Sequence, residues 1–332
     1  MGERKTIKRV VETDEGILYD LYRFRIMTRE QIERLYFRGS KAYTYRKMYI
    51  LRNSGYIQSK IIMRAKKKGR ERTAIYTITD KGIRLLRERG LIDEDIEAKD
   101  LRIERQNMEG YLDFNDLYVA LKREGYTFLD SRALKKKYQM ERGDLCKGAV
   151  VTEDGREYLV YIVRAGAKDQ TLRRIMKEMN RSYRQMGKRH NLVLFRGLES
   201  FDAFRTMYLA SDRVFDTVCA LPYTYALNVL KRFKTDQEFV KTITKYGEVE
   251  PNRERMPEEY KRHFIFHNGE KKYAVNLLMN DLTLMDRMRR DRLDRKAVLF
   301  VYEAFADRVR EYLTGVQKVE IIEITDQELR LC

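Results

Sequence analysis

The nine residues Arg64-Ala-Lys-Lys-Lys-Gly-Arg-Glu-Arg72 hold six cations, Arg64, Lys66, Lys67, Lys68, Arg70 and Arg72, against the single acid Glu71. Cations at that density on one loop suit neutralisation of a row of phosphates, and a narrow loop of this kind can enter a minor groove. A second basic set precedes it. Helical spacing that turns Ala42, Tyr45, Met48 and Leu51 inward leaves Lys41, Tyr43, Thr44 and Lys47 outward, with Arg46 at the margin. On that reading Lys41, Thr44 and Lys47 probe base edges from the first turns of a helix in a major groove, and Tyr43 packs on a sugar or a thymine methyl. The competing reading is a solvated charged loop on a protein-binding module. A helix-helix-hairpin order with a basic second helix favours nucleic acid.

Other chemistries find fewer residues. Cys146, Cys219 and Cys332 are far apart and in no metal-ligand spacing, and Cys146 and Cys219 read as small buried residues or spare thiols of a reducing compartment. His263 and His267 share one side of a strand but have no further ligands for zinc, and His190 stands alone. Lys66-Lys-Lys-Gly-Arg70 lacks the second glycine, the strand-loop-helix setting and the Ser/Thr of a nucleotide-binding loop. Tyr43, Tyr45 and Tyr49 could attack a phosphodiester in principle, yet tyrosine on such a helix packs or stacks, and no metal cluster accompanies it. The expectation is a protein without cofactor or metal.

The elements that must position the cations are legible. Thr28-Arg-Glu-Gln31 is a capping box, Ile32, Leu35 and Tyr36 form a short apolar stripe, and Gly39 ends that helix. Ser40 caps the basic helix and Asn53-Ser-Gly55 breaks it. Strands at 56–63 and 73–79 flank the loop, and Asp80 and Gly82 turn the second strand into a helix around Ile83, Leu85 and Leu86. Residues 10–90 thus read as a winged helix-turn-helix. The first 90 residues carry 24 lysines and arginines against ten acids, a surplus of 14 in a chain of net charge +18. So lopsided a distribution marks this end as the part that meets a polyanion. Without a lipidation signal, a long apolar stretch or a secretory start, the chain is expected to be cytoplasmic and to have no membrane partner.

After Gly90 the pattern changes. Residues 91–110, with Asp93-Glu-Asp-Ile-Glu97 and Asp100, read as an acidic linker, and a helix is expected from Leu101 to Glu124. Residues 111–222 alternate strands and helices, 223–257 form a helical connector ending in a loop from Glu248 to Pro257, and 258–332 form a second, smaller α/β unit. Hairpin, helix, strand, helix, strand occurs twice at a spacing of roughly 115 residues. Duplication and ordinary α/β patterning both account for it. The fold class is α+β: an N-terminal winged helix-turn-helix and an α/β region that is either doubled or merely repetitive.

The runs Arg25-Ile-Met-Thr-Arg-Glu-Gln-Ile-Glu-Arg-Leu-Tyr-Phe37, Gly55-Tyr-Ile57 and Ala74-Ile-Tyr-Thr-Ile-Thr-Asp-Lys-Gly82, with the Ser40 helix, resemble the replication-relaxation family of plasmids and integrative elements. The resemblance covers residues 14–90 well, 110–200 moderately, and nothing beyond. It implies a winged helix joined to a domain similar to PD-(D/E)XK nucleases. Asp144 stands where that pattern has its first acid. The following strand, Glu157 to Arg164, offers no acid-x-Lys: Glu157 comes at its start, followed two residues later by Leu159. A Mg²⁺ pair cannot form from Asp144 alone. The nuclease-like module therefore reads as degenerate and Asp144 as a turn or cap residue.

The function expected is that of a sequence-specific double-stranded DNA-binding protein of a mobile element. It would act in replication control or as a non-catalytic accessory at a transfer origin, with a relaxase, a replication initiator or a coupling protein as partner. Paired half-sites would call for a homodimer. A winged-helix transcription regulator would use the same contacts, and a Mg²⁺-dependent nuclease would need the missing acid.

Overall fold

Acidic residues open the first helix and apolar ones anchor it. α1 (Glu12–Phe24) sets Glu12, Asp14 and Glu15 in its first turn, where the helix dipole favours them, and buries Ile17, Leu18, Leu21 and Phe24. β1 (Met27–Thr28) leads into α2 (Arg29–Tyr36) through the capping box: Gln31 N donates to Thr28 Oγ1 at 3.2 Å and Thr28 N to Gln31 Oε1 at 2.8 Å. α2 closes at Phe37, before Gly39, and Arg38 and Gly39 both take positive φ to turn the chain into α3 (Lys41–Asn53). Ser40 occupies the N-cap of α3 without a side-chain capping bond; its carbonyl instead accepts the Thr44 amide at 3.0 Å and the Thr44 hydroxyl at 2.7 Å.

β2 (Ile57–Lys66) and β3 (Gly69–Ile78) pair antiparallel from Ile57↔Ile78 out to Lys66↔Gly69, and β1 pairs with β3. Most of the segment expected as loop is therefore strand. Thr79 caps α4 (Asp80–Glu88), accepting from Gly82 N at 3.3 Å. The computed structural model describes residues 6–7, 9–66, 69–187, 190–211, 215–233, 235–254, 258–291 and 293–330. Lys67 and Lys68 lie outside the described residues, as do Pro257 and Cys332, and the side chains of Lys66 and Arg70 are likewise not described.

The acidic stretch expected as a linker is packed. Ile92, Leu101 and Ile103 are buried, and the Glu94 carboxylate accepts from Tyr22 Oη at 2.8 Å and pairs with Lys136 and Arg132 at 3.1 and 3.4 Å. Short 3-10 turns at Ala98–Leu101 and Arg105–Asn107 lead to α5 (Met108–Leu121), shorter than the expected helix because its first turns are these 3-10 segments. α5 belongs to the N-terminal unit, not to the α/β region: Phe114 and Tyr118 pack on Phe24, and Tyr118 Oη donates to Asp20 at 2.9 Å. The first compact unit comprises Met1–Lys122 and Asp130–Lys136, the second Arg123–Leu129 and Lys137–Cys332. β4 (Thr127–Asp130) and α6 (Ser131–Lys137) span that division.

The second unit holds two five-stranded sheets. The first is ordered β4-β5-β6-β7-β8, from β5 (Gly148–Val151), β6 (Glu157–Val163), β7 (His190–Phe195) and β8 (Thr217–Pro222), with α7 (Asp169–Met186) and α8 (Leu198–Leu209) as crossovers. α9 (Tyr223–Arg232) and α10 (Asp236–Ile243) follow, and then β9 (Glu248–Pro251). β9 corrects the expected loop: it pairs antiparallel with β10 (His263–His267) as an edge strand, a place that tolerates Pro251. β11 (Glu270–Asn276), α11 (Leu282–Arg290), β12 (Ala297–Tyr302), α12 (Glu303–Tyr312), β13 (Val319–Ile324) and α13 (Asp326–Arg330) complete the chain, in a sheet ordered β13-β12-β11-β10-β9.

In each sheet a hairpin is antiparallel and the next two strands are added in parallel. The repetition seen in sequence is thus a repetition of connectivity. The halves meet through Cys219↔Asp281 bridging, Asn280 Nδ2 donating to Ala220 O at 2.7 Å, and Phe201 against Phe305.

A Cβ on Gly82 would stand 2.6 Å from Tyr56 O and from Ile78 Cγ1. Gly82→Ala is therefore expected to destabilise the first unit by about 1–3 kcal/mol, as overpacking does; urea unfolding of the full chain measures it, and an unchanged midpoint contradicts it.

Candidate nucleic-acid interface

The burial of α3 differs from the sequence expectation by a rotation about its axis. Thr44, Met48 and Leu51, at i, i+4 and i+7, face the core, while Ala42 and Tyr45 are exposed. Thr44 is fully buried, which its hydroxyl bond to Ser40 O permits, so it cannot probe bases. Lys47 is also turned inward: its Nζ lies 2.6 Å from the buried carboxylate of Asp14. Of the expected readers, Lys41, Tyr43 and Arg46 do face solvent. The structure adds Tyr45, Tyr49 and Arg52, which sequence reasoning had assigned to packing or left out. The Arg29 guanidinium lies 3.8 Å from the Tyr45 ring centre and that of Arg52 5.6 Å from the Tyr49 ring. Only one available signal separates the two rotations: a threonine can be buried when its hydroxyl bonds back one turn, and tyrosine tolerates exposure.

The β2–β3 hairpin has two unlike faces. Alternation puts Ile57, Ser59, Ile61 and Met63 on one side, with Arg72 opposite Met63 and Ala74 opposite Ile61. Ile57 is buried at the base; Ile61 and Met63 are exposed farther out. The other side carries Ile62 and Arg64 toward α5. Arg64, expected to hold the DNA backbone, is buried instead: its Nη2 lies 2.6 Å from Asp116 Oδ2 and 3.1 Å from Asp113 Oδ1. Burial alone would lower the guanidinium's pKa, but Asp116 and Asp113 together hold it above the usual value. Asp116 also accepts from Gln31 Nε2 at 2.7 Å, and the same nitrogen donates to Leu112 O at 2.8 Å. Arg72 is exposed as expected.

In the second unit Asp144 lies in a turn, as the sequence suggested. Its Oδ2 accepts from Glu141 N at 2.9 Å and is ion-paired with Arg181 of α7. Glu157 of β6 is engaged by Lys137 and Tyr138 at 3.0 and 3.1 Å. Sequence reasoning missed Glu178 on α7, buried beside Arg181 and accepting from Leu145 N at 2.8 Å. Burial raises its carboxyl to about 7, against the opposing effect of the Leu145 bond and with Asp144 adding to the rise. Nearby, Tyr161 Oη, Ser182 Oγ and both Asn191 amide atoms are buried without hydrogen-bond partners among the described residues. His263 contacts the Asp236 carboxylate at 2.5 Å and His267 that of Glu320 at 3.0 Å, so the two histidines serve different carboxylates. A cavity of about 550 Å³ in this unit is lined by Leu192, Phe239, Leu284, Asp236 and His263. No group of three metal-ligating side chains occurs among the described residues.

Arg64→Ala removes one partner of a buried ionic group and leaves two carboxylates uncompensated, so a loss of about 3–5 kcal/mol is expected in denaturant unfolding. A loss under about 1 kcal/mol would show the network to be loosely held. For Glu178, the fold retains a proton between the ordinary carboxylate range and about pH 7 that the unfolded chain has released. Stability should therefore fall, on the order of 2–3 kcal/mol, as pH rises through that window, and level off above it. Glu178→Gln should remove most of that slope in urea midpoints taken at pH 5 and pH 8; an unaltered slope assigns it elsewhere.

Residues 18–144 match the family described as replication-relaxation. No curated protein and no solved structure matches the chain. The matched stretch runs from within α1 through the hairpin, the Arg64 network and α6 to Asp144, the carboxylate held by Arg181. This segment, which contains most of the first unit, is similar to the replication-relaxation family.

Proposed function

We propose that the first unit is a winged helix-turn-helix that binds double-stranded DNA of a mobile genetic element, and that the chain acts in control of element replication or as a non-catalytic accessory factor at a transfer origin. The family suggests a role in the replication of mobile elements. The observation that carries the DNA reading is the outward face of α3. Its exposed positions are Lys41, Ala42, Tyr43, Tyr45, Arg46, Tyr49 and Arg52, with no acid anywhere on the helix. A helix of that charge, beside a hairpin whose distal sequence holds Lys66, Lys67, Lys68, Arg70 and Arg72, has the electrostatics of a polyanion surface.

The contacts divide by chemistry. On this reading Lys41 and Arg46 reach base edges and Tyr43 a sugar or thymine methyl, whereas the hairpin cations neutralise phosphates. Arg64, Thr44 and Lys47 are not part of the surface; they hold the scaffold. The reading is of a binding protein because Asp144 is neutralised by Arg181 and β6 carries no acid-x-Lys. A homodimer would match paired half-sites, and a relaxase, replication initiator or coupling protein would be the partner recruited there. No helix among the described residues is long and apolar enough to cross a membrane.

Replacing Lys66, Lys67 and Lys68 together by alanine is expected to weaken binding almost equally on all sequences. It should also flatten the dependence of log K on log salt by about 0.9 per lost phosphate contact. Arg46→Ala should relax preference at one or two base pairs, by about 1–3 kcal/mol. Anisotropy titrations at several salt concentrations with element-derived duplexes check both. If no fragment is bound at low ionic strength, the proposal fails.

A further inference from the structure

We propose that the face shared by α3 and the hairpin binds DNA bases that have left the duplex stack, so that the unit favours a melted or sharply kinked segment over an intact helix. This rests on the DNA-binding reading above and names the form of DNA. The observation is a cluster of large apolar groups left in solvent. Tyr43, Tyr45 and Tyr49 are 52%, 54% and 47% exposed, and Ile61 and Met63 are 58% and 50% exposed. Tyr45, Tyr49 and Arg52 follow at helical spacing, and Arg52 Nη1 hydrogen-bonds Ser59 Oγ at 3.3 Å. Ser59, Ile61 and Met63 then continue along one side of β2. A single surface thus leads from the aromatic stripe of the helix onto the outer hairpin.

The hairpin is held so that this side faces away from α5. Ile62 packs with the buried Ile75 and Leu112, and Arg64 is ion-paired behind it. Ile61 and Met63, one residue out of phase, therefore point to the opposite side, and the core covers that side from its base at Ile57 and Ile78 out to Tyr76, short of Ile61 and Met63.

Charge selects the occupant. Arg29 and Arg52 lie over the two tyrosine rings, and Arg72 stands opposite Met63. Glu71 is on the other face, in register with Arg64. An apolar surface rimmed by guanidinium groups fits a polymer that is anionic along its backbone and flat and apolar on its bases. An intact duplex hides those flat faces and offers an apolar group to the major groove only at thymine methyls. Unstacked bases expose them, tyrosine stacks on them regardless of sequence, and isoleucine or methionine can wedge between loosened base steps.

The test uses the full chain with three probes of one sequence: an intact duplex, the same duplex with a central mismatched bubble, and the single strand. The bubble carries 2-aminopurine, whose fluorescence reports unstacking and restacking. The bubble is expected to bind at least about tenfold tighter than the duplex and to change the 2-aminopurine signal. The pair Tyr45→Ala and Tyr49→Ala should erase that advantage, so that the variant binds bubble and duplex with equal affinity. Tyr45→Phe with Tyr49→Phe should retain it, and Ile61→Ser with Met63→Ser should reduce the fluorescence change. Circular dichroism shows whether each variant is folded; these side chains are exposed, so the serine and phenylalanine pairs supply the reading if the alanine pair does not fold. Equal affinity for bubble and duplex, or a bubble preference untouched by all the variants, overturns this proposal and leaves the DNA-binding reading standing. Failure to bind any of the three at low salt removes the DNA-binding reading itself. Self-association that the same variants abolish, without any bubble preference, would make the face a dimer contact and also overturn the proposal.

Discussion

A single guanidinium, Arg64, ties together three segments that are remote along the chain. It leaves the outer hairpin, meets Asp113 and Asp116 of α5, and through Asp116 joins Gln31, whose own amide oxygen completes the cap of α2. Thr28, Gln31, Asp116 and Arg64 form one continuous hydrogen-bonded chain. A buried ionic group of this kind adds little net stability, because desolvating its members offsets their attraction. Its effect is on register. A one-residue slip of β2 would swap the two faces of the strand, sending Arg64 into solvent and Met63 or Ala65 against two carboxylates.

The surface follows from that constraint. With the hairpin fixed from behind by α5, the side bearing Ile61 and Met63 remains open beside α3. On α3 the polar Thr44 and Lys47 are consumed by the interior, the first by a back-bond to Ser40 and the second by Asp14. What the helix presents outward is consequently richer in tyrosine than its composition suggests, with Lys41, Arg46 and Arg52 as its cations. The exposed rings are not idle in water, since arginines stack on two of them and hold them in place.

The second unit is built differently. Two sheets of the same connectivity join through main-chain bonds around Ala220 and Asn280, with the bidentate pair Arg308–Asp202 spanning the halves. Among its polar groups, Asp144, Arg181 and Glu178 are engaged in ion pairing and backbone bonds. Asp144, singled out in the sequence as a candidate acid, closes a turn and pairs with the Arg181 guanidinium.

Much of this was legible in one dimension. The Thr28–Gln31 box, the long helix of Asp169–Met186, the strand Ala297–Tyr302 and the surplus of cations near the start all follow from local rules: side-chain capping, helical or alternating periodicity, and counting of charge. The rotation of α3 was not legible, because Ala42 with Tyr45 and Thr44 with Lys47 both complete a helical stripe around Met48 and Leu51, and only a hydroxyl back-bond and a partner acid on α1 decide between them. Nor was the fate of Arg64, one cation among six in sequence, since the carboxylates that claim it lie about fifty residues away on a helix whose apolar face could have served either unit. Local order was thus set by the residues themselves, while the division of charged groups between scaffold and surface was decided by which distant partners the fold brought within hydrogen-bonding reach.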